Sequence, residues 1–60
     1  MKNPIRVGII EDDQFVLNEL AEMVKASEKL EYVMAVSSAE QFLKYFSADT
    51  NLNILLTDIG

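Results

Sequence analysis

The sixty-residue chain contains no cysteine and no histidine, and its basic residues number five against ten acidic ones, a formal charge of −5. Without cysteine there is no disulfide framework and no thiolate zinc site, and without histidine the commonest imidazole ligand and general base are gone. Serine–histidine and cysteine–histidine catalysis are therefore excluded for this chain acting alone. The absence of cysteine fits a reducing compartment. Lys2, Arg6, Lys25, Lys29 and Lys44 are scattered rather than clustered, so neutralisation of a phosphate backbone is disfavoured and no direct nucleic-acid binding is expected. The apolar runs at 7–10 and 54–56 are far shorter than a membrane span, and Met1-Lys2-Asn3-Pro4 opens no signal-peptide core. A soluble, cytoplasmic location is the expectation.

What is present is half hydrophobic and organised as alternating short patterns. The length allows one domain at most, and a chain of this size buries only about 60% of the surface exposed when unfolded. After Pro4, Ile5-Arg6-Val7-Gly8-Ile9-Ile10 is a β-branched run that predicts a largely buried strand. Gly8 within it either admits a closely packed helix or weakens the strand. Glu11-Asp12-Asp13 follows at once, and Val16, Leu20, Met23 and Val24 then recur at helical spacing, with Asp13 placed to cap the helix. Beyond the polar break Ser27-Glu28-Lys29, Tyr32-Val33-Met34-Ala35-Val36 predicts a second strand. Ser37-Ser38-Ala39-Glu40 matches a capping box ahead of a second helix with the stripe Ala39, Phe42, Leu43 and Phe46. A polar loop at 47–51 leads to a third strand, Ile54-Leu55-Leu56-Thr57, ending on Asp58-Ile59-Gly60. Phe15, Phe42, Phe46, Met23 and Met34 are expected in ordinary core packing.

The order βαβαβ implies an α/β fold with a parallel sheet and right-handed crossovers, which collects the carboxyl ends of the strands on one edge. Ligands bind outside that edge in open sheets. Glu11 and Asp12 follow the first strand and Asp58 the third, so the topology can gather acids far apart in sequence. Like charges about 4 Å apart repel by about 4 kcal/mol at an effective dielectric near 20, a cost that a bound cation removes. With oxygen donors only, Mg²⁺ is the natural candidate; calcium lacks its spaced acidic loop with a central glycine. The alternative is a solvated, helix-capping acidic turn at residues 11–13, with Asp58 a strand-end cap.

These residues carry a resemblance. Val7-Gly8-Ile9-Ile10-Glu11-Asp12-Asp13 and Ile54-Leu55-Leu56-Thr57-Asp58-Ile59-Gly60, separated by helix, strand and helix, resemble the receiver domain of two-component response regulators. The resemblance implies that Glu11 and Asp12 hold Mg²⁺, that Asp58 is the phosphoacceptor and a metal neighbour, and that the backbone carbonyl of Gly60 completes the metal site. Asp13 falls at a variable position and stays a cap. It implies a sensor histidine kinase as donor, and a signalling domain rather than an enzyme, since the donor imidazole arrives with the partner.

The resemblance also implies a flavodoxin-like doubly wound fold of order 2-1-3-4-5, of which residues 1–60 correspond to the first half, a three-stranded portion of order 2-1-3. The family's fourth and fifth strands, with their phosphoryl-contacting hydroxyl and lysine, have no counterpart among these residues. In that order the third strand would be an unpaired apolar edge, so a homo-oligomer or a complementing segment is expected there. Two other readings stand beside this one. The first is an interaction fragment that is never phosphorylated; the second is a Mg²⁺-dependent aspartate phosphohydrolase, disfavoured because Asp58-Ile59-Gly60 lacks a second acid two residues on. A dinucleotide site is disfavoured too, since Glu-Asp-Asp stands where pyrophosphate would need glycines.

Overall fold

The computed structural model describes residues 4–47 and 50–57. The elements are β1 (Ile5–Ile10), α1 (Gln14–Ala26), β2 (Leu30–Val36), α2 (Ala39–Tyr45) and β3 (Ile54–Thr57). They form an α/β unit around one three-stranded parallel sheet in the order β2-β1-β3, as expected. β2 begins two residues earlier than the β-branched run suggested, at Leu30 rather than Tyr32. The chain leaves β1 for β2 on one side and returns past β1 to reach β3 on the other. With right-handed crossovers, steps in opposite directions place α1 and α2 on opposite faces.

Alternation along β1 assigns the faces. Val7 and Ile9, at 2% and 0% exposure, point at α1 and meet Leu17, Ala21 and Val24, with Leu20, Leu30, Tyr32 and Ala35 packed around them. Leu30, Tyr32 and Ala35 could not share a face in a regular strand, where only every second residue does. The register supplies the reason: Val7 pairs with Tyr32 but Gly8 with Met34, so Val33 is an extra residue that resets the alternation.

The other face of β1 carries Arg6 and Gly8. A Cβ built on Gly8 would lie 3.0 Å from Leu52 Cδ1 and 3.3 Å from Leu55 Cδ1, so this glycine admits leucines from the loop and from β3 rather than a helix. Arg6 fastens the entry to β3. Its N–H donates to Asn53 Oδ1 at 2.9 Å, its carbonyl accepts from Asn53 N at 2.9 Å, and its guanidinium reaches the Asn51 carbonyl and the Glu31 carboxylate. Glu31 sits opposite Arg6 in the β1–β2 register, which makes the ion pair a cross-strand one.

The helices differ from their sequence patterns in detail. In α1 the buried line is Leu17, Ala21 and Val24; Val16 and Leu20 are half-buried, and Met23 is 68% exposed. The expected stripe was thus rotated towards the β3 side, where no element covers the helix among the described residues. Phe15, at 83% exposure, and Leu43, at 72%, are likewise outside the core, and Phe46 is exposed while stacking on Phe42 at 5.1 Å between ring centroids. No residue of α2 is buried. Its capping lies one residue later than the Ser37–Glu40 pattern suggested: Ser38 Oγ accepts from Gln41 N at 3.2 Å, and Gln41 Oε1 reaches back to Ser37 N at 3.0 Å.

Candidate functional site

The carboxyl edge of the sheet is where β1 meets charge. Glu11 follows β1 directly, and its N–H donates to the Val36 carbonyl at 3.0 Å, extending the contact with β2 by one residue. That bond fixes the backbone and turns the side chain inward: Glu11 is 3% exposed, the one buried charged residue among those described. Its Oε1 accepts from Asp13 N at 3.0 Å. Burial of a carboxylate is costly unless hydrogen bonds, charge or a ligand compensate, so this position is held by the fold rather than by solvation.

The two following acids take different roles. Asp12 is exposed beside Glu11. Asp13 is the N-cap of α1, as its place before the helical pattern predicted: extended at φ −83° and ψ 115°, it accepts through Oδ1 from Phe15 N at 2.9 Å and Val16 N at 3.3 Å. A carboxylate there also lies at the positive end of the helix dipole. The acidic triplet therefore divides into one buried, one exposed and one capping group.

β3 brings the second half of the expected site towards the first. Ile10 and Thr57 are register partners, and Glu11 is the next residue after one as Asp58 is after the other. Glu11 and Thr57 line a common cleft of about 330 Å³ with Val16, Leu20 and Leu56. The structure thus places Glu11, Asp12 and the end of β3 on one edge; Asp58 and Gly60 lie outside the described residues. Among the described residues no three acidic side chains gather as a ligand cluster, and Asp13 is turned to its helix.

Sequence reasoning missed the apolar wall of this site. Val16 and Leu20 were expected on the apolar stripe of the first helix and Leu56 on an unpaired strand edge, without a shared cleft; the signal that could have found it is that α1 carries more apolar residues than one sheet contact can cover. No family model, no curated protein and no solved structure matches the chain. No described helix is long and apolar enough to cross a membrane.

Proposed function

We propose that the chain is the first half of a response-regulator receiver domain, which accepts a phosphoryl group on Asp58 from a phosphohistidine of a sensor kinase. The observation that carries the reading is the buried Glu11 at the end of β1, in register with the strand that leads into Asp58. A structural acid at a turn would be solvated; this one is held in the sheet edge by a backbone bond of its own and by Asp13 N.

The donor set fits a hard cation. Glu11 and Asp12 are adjacent carboxylates with no soft donor near them, and together with Asp58 and the Gly60 carbonyl they would hold Mg²⁺. Bound there, Mg²⁺ supplies charge neutralisation on the phosphoryl oxygens. The remaining work belongs to the chain. Asp58 attacks phosphorus with a carboxylate oxygen, the phosphorus–nitrogen bond breaks, and its electron pair leaves with the partner's imidazole. Glu11, fixed by the sheet, would present its carboxyl group at that edge without reorganising. The product is an acyl phosphate, labile enough to reset a signal.

The test is incubation with Mg²⁺ and acetyl phosphate followed by intact mass. One phosphoryl adduct is expected, lost in Asp58→Asn and in Mg²⁺-free buffer; an adduct that survives Asp58→Asn rejects the assignment. A second reading, a non-phosphorylated self-associating fragment, is favoured by β3, whose Ile54, Leu55 and Leu56 are 41%, 40% and 37% exposed along a strand without charge.

A further inference from the structure

The run Ile54-Leu55-Leu56 is apolar at three successive positions, so alternation of polar and apolar residues does not choose its register against β1. A slip of one residue exchanges the two faces of a strand, and here it would exchange apolar for apolar. Leu55 would face Val7 in place of Ile54, and Leu56 would stand opposite Gly8 in place of Leu55. The notch at Gly8, which admits Leu52 and Leu55, takes one leucine as it takes another. The same slip would carry Thr57 about 3.3 Å along β1, from Ile10 to Ile9. By count, Asp58 would then fall opposite Ile10 instead of Glu11.

What chooses the register is polar and lies at the other end of the strand. One step back from the Val7–Ile54 pair, Arg6 faces Asn53. Asn53 N donates to the Arg6 carbonyl and Asn53 Oδ1 accepts from Arg6 N, both at 2.9 Å, so both backbone polar groups of Arg6 end on this one residue. After a slip of one, Ile54 or Leu52 would stand there, and neither side chain has an acceptor for the Arg6 N–H. A slip of two would bring Asn51, with the same side chain, to that place. The Arg6 guanidinium opposes it, because Nε donates to the Asn51 carbonyl while Nη1 is paired with Glu31 across on β2. Asn51 is thereby anchored two residues ahead of the pair. We infer that Asn53, acting through Arg6, is a positioning residue: it sets the β1–β3 register and with it where β3 delivers the chain to the edge that holds Glu11.

For the chemistry this role rests on the phosphoacceptor reading of Asp58; for the register it does not. The first measurement is therefore made without phosphorylation, by cross-strand NOEs and the number of amide signals of residues 54–57 in the isotopically labelled full chain. The parent is expected to give one set of signals and contacts at Val7–Ile54 and Ile10–Thr57. Asn53→Ala should populate a second register to about 10% or more, with the β1–β2 contact Ile9–Ala35 retained. Asn53→Asp, which keeps the side-chain oxygen, should restore a single set. Asn51→Ala should leave the register unchanged, since its carbonyl rather than its side chain accepts from Arg6. With Mg²⁺ and acetyl phosphate, adduct formation should slow by about tenfold or more in Asn53→Ala and recover in Asn53→Asp. A parent that forms no adduct removes the phosphoacceptor reading, and the NOEs still decide the register. One unshifted set of signals in Asn53→Ala, no recovery in Asn53→Asp, or loss of the Ile9–Ala35 contact together with those of β3 would each overturn the role of Asn53.

Discussion

Asp13 and Glu11 are coupled through one amide. Asp13 Oδ1 holds two N–H groups of α1 while its own N–H is held by Glu11 Oε1, so the cap of the helix and the buried acid of the edge are aligned by the same short turn. Replacing an aspartate cap by alanine costs about 1 kcal/mol. Asp13→Ala is expected to lower the unfolding free energy by about that amount in a urea titration, with Asp13→Asn retaining most of it, because an amide oxygen still accepts. If the two variants prove equally destabilised, the cap is not the source of the loss.

At the scale of elements, the third strand is the exposed one. β3 pairs with β1 on one side, and its other edge has no partner among the described residues. A lysine on an edge strand blocks strand-to-strand association. Leu55→Lys is expected to leave the monomer folded, since Leu55 is 40% exposed, and to reduce concentration-dependent light scattering of the parent chain; unchanged scattering would remove the strand edge from any association. The strands themselves were legible in the sequence because β-branched runs bounded by charge and polar loops leave little choice, and the Asp13 cap was legible because a cap is a local device. What was not legible depends on neighbours: the Val33 bulge is set by pairing with β1, and the exposure of Met23 by the absence of a described element over that flank of α1. The site was legible in the same proportion. The adjacency of Glu11 to the end of β3 followed from topology, whereas the burial of Glu11 and its bond to Asp13 N depend on the path of the turn after the bond from Glu11 N to the Val36 carbonyl.

At the scale of the molecule, the buried core among the described residues amounts to Val7, Ile9, Leu17, Ala21, Val24 and Val36. At about 0.05–0.15 kcal/mol per residue, a domain this size holds about 3–9 kcal/mol, and truncating a buried isoleucine to alanine costs about 2–5 kcal/mol. Ile9, fully enclosed on the central strand, is therefore a residue whose loss is comparable to the total. Ile9→Ala is expected to abolish a cooperative urea transition, seen as collapse of amide dispersion. A retained sharp transition would mean that stability resides outside this cluster.

The order β2-β1-β3 also sets a sequence of events in time. The central strand is the first to be made, yet it receives its second neighbour only after 47 further residues, against 25 for the first. Loop closure alone separates the two steps by only about 0.6 kcal/mol. The larger difference lies in what each step joins, because β1, α1 and β2 share the buried cluster, whereas β3 adds four paired positions with exposed side chains. The β1–α1–β2 crossover unit is therefore expected to form before β3 docks. The edge that would carry the chemistry is then completed last, and faster amide exchange in β3 than in β1 is the expected sign of it.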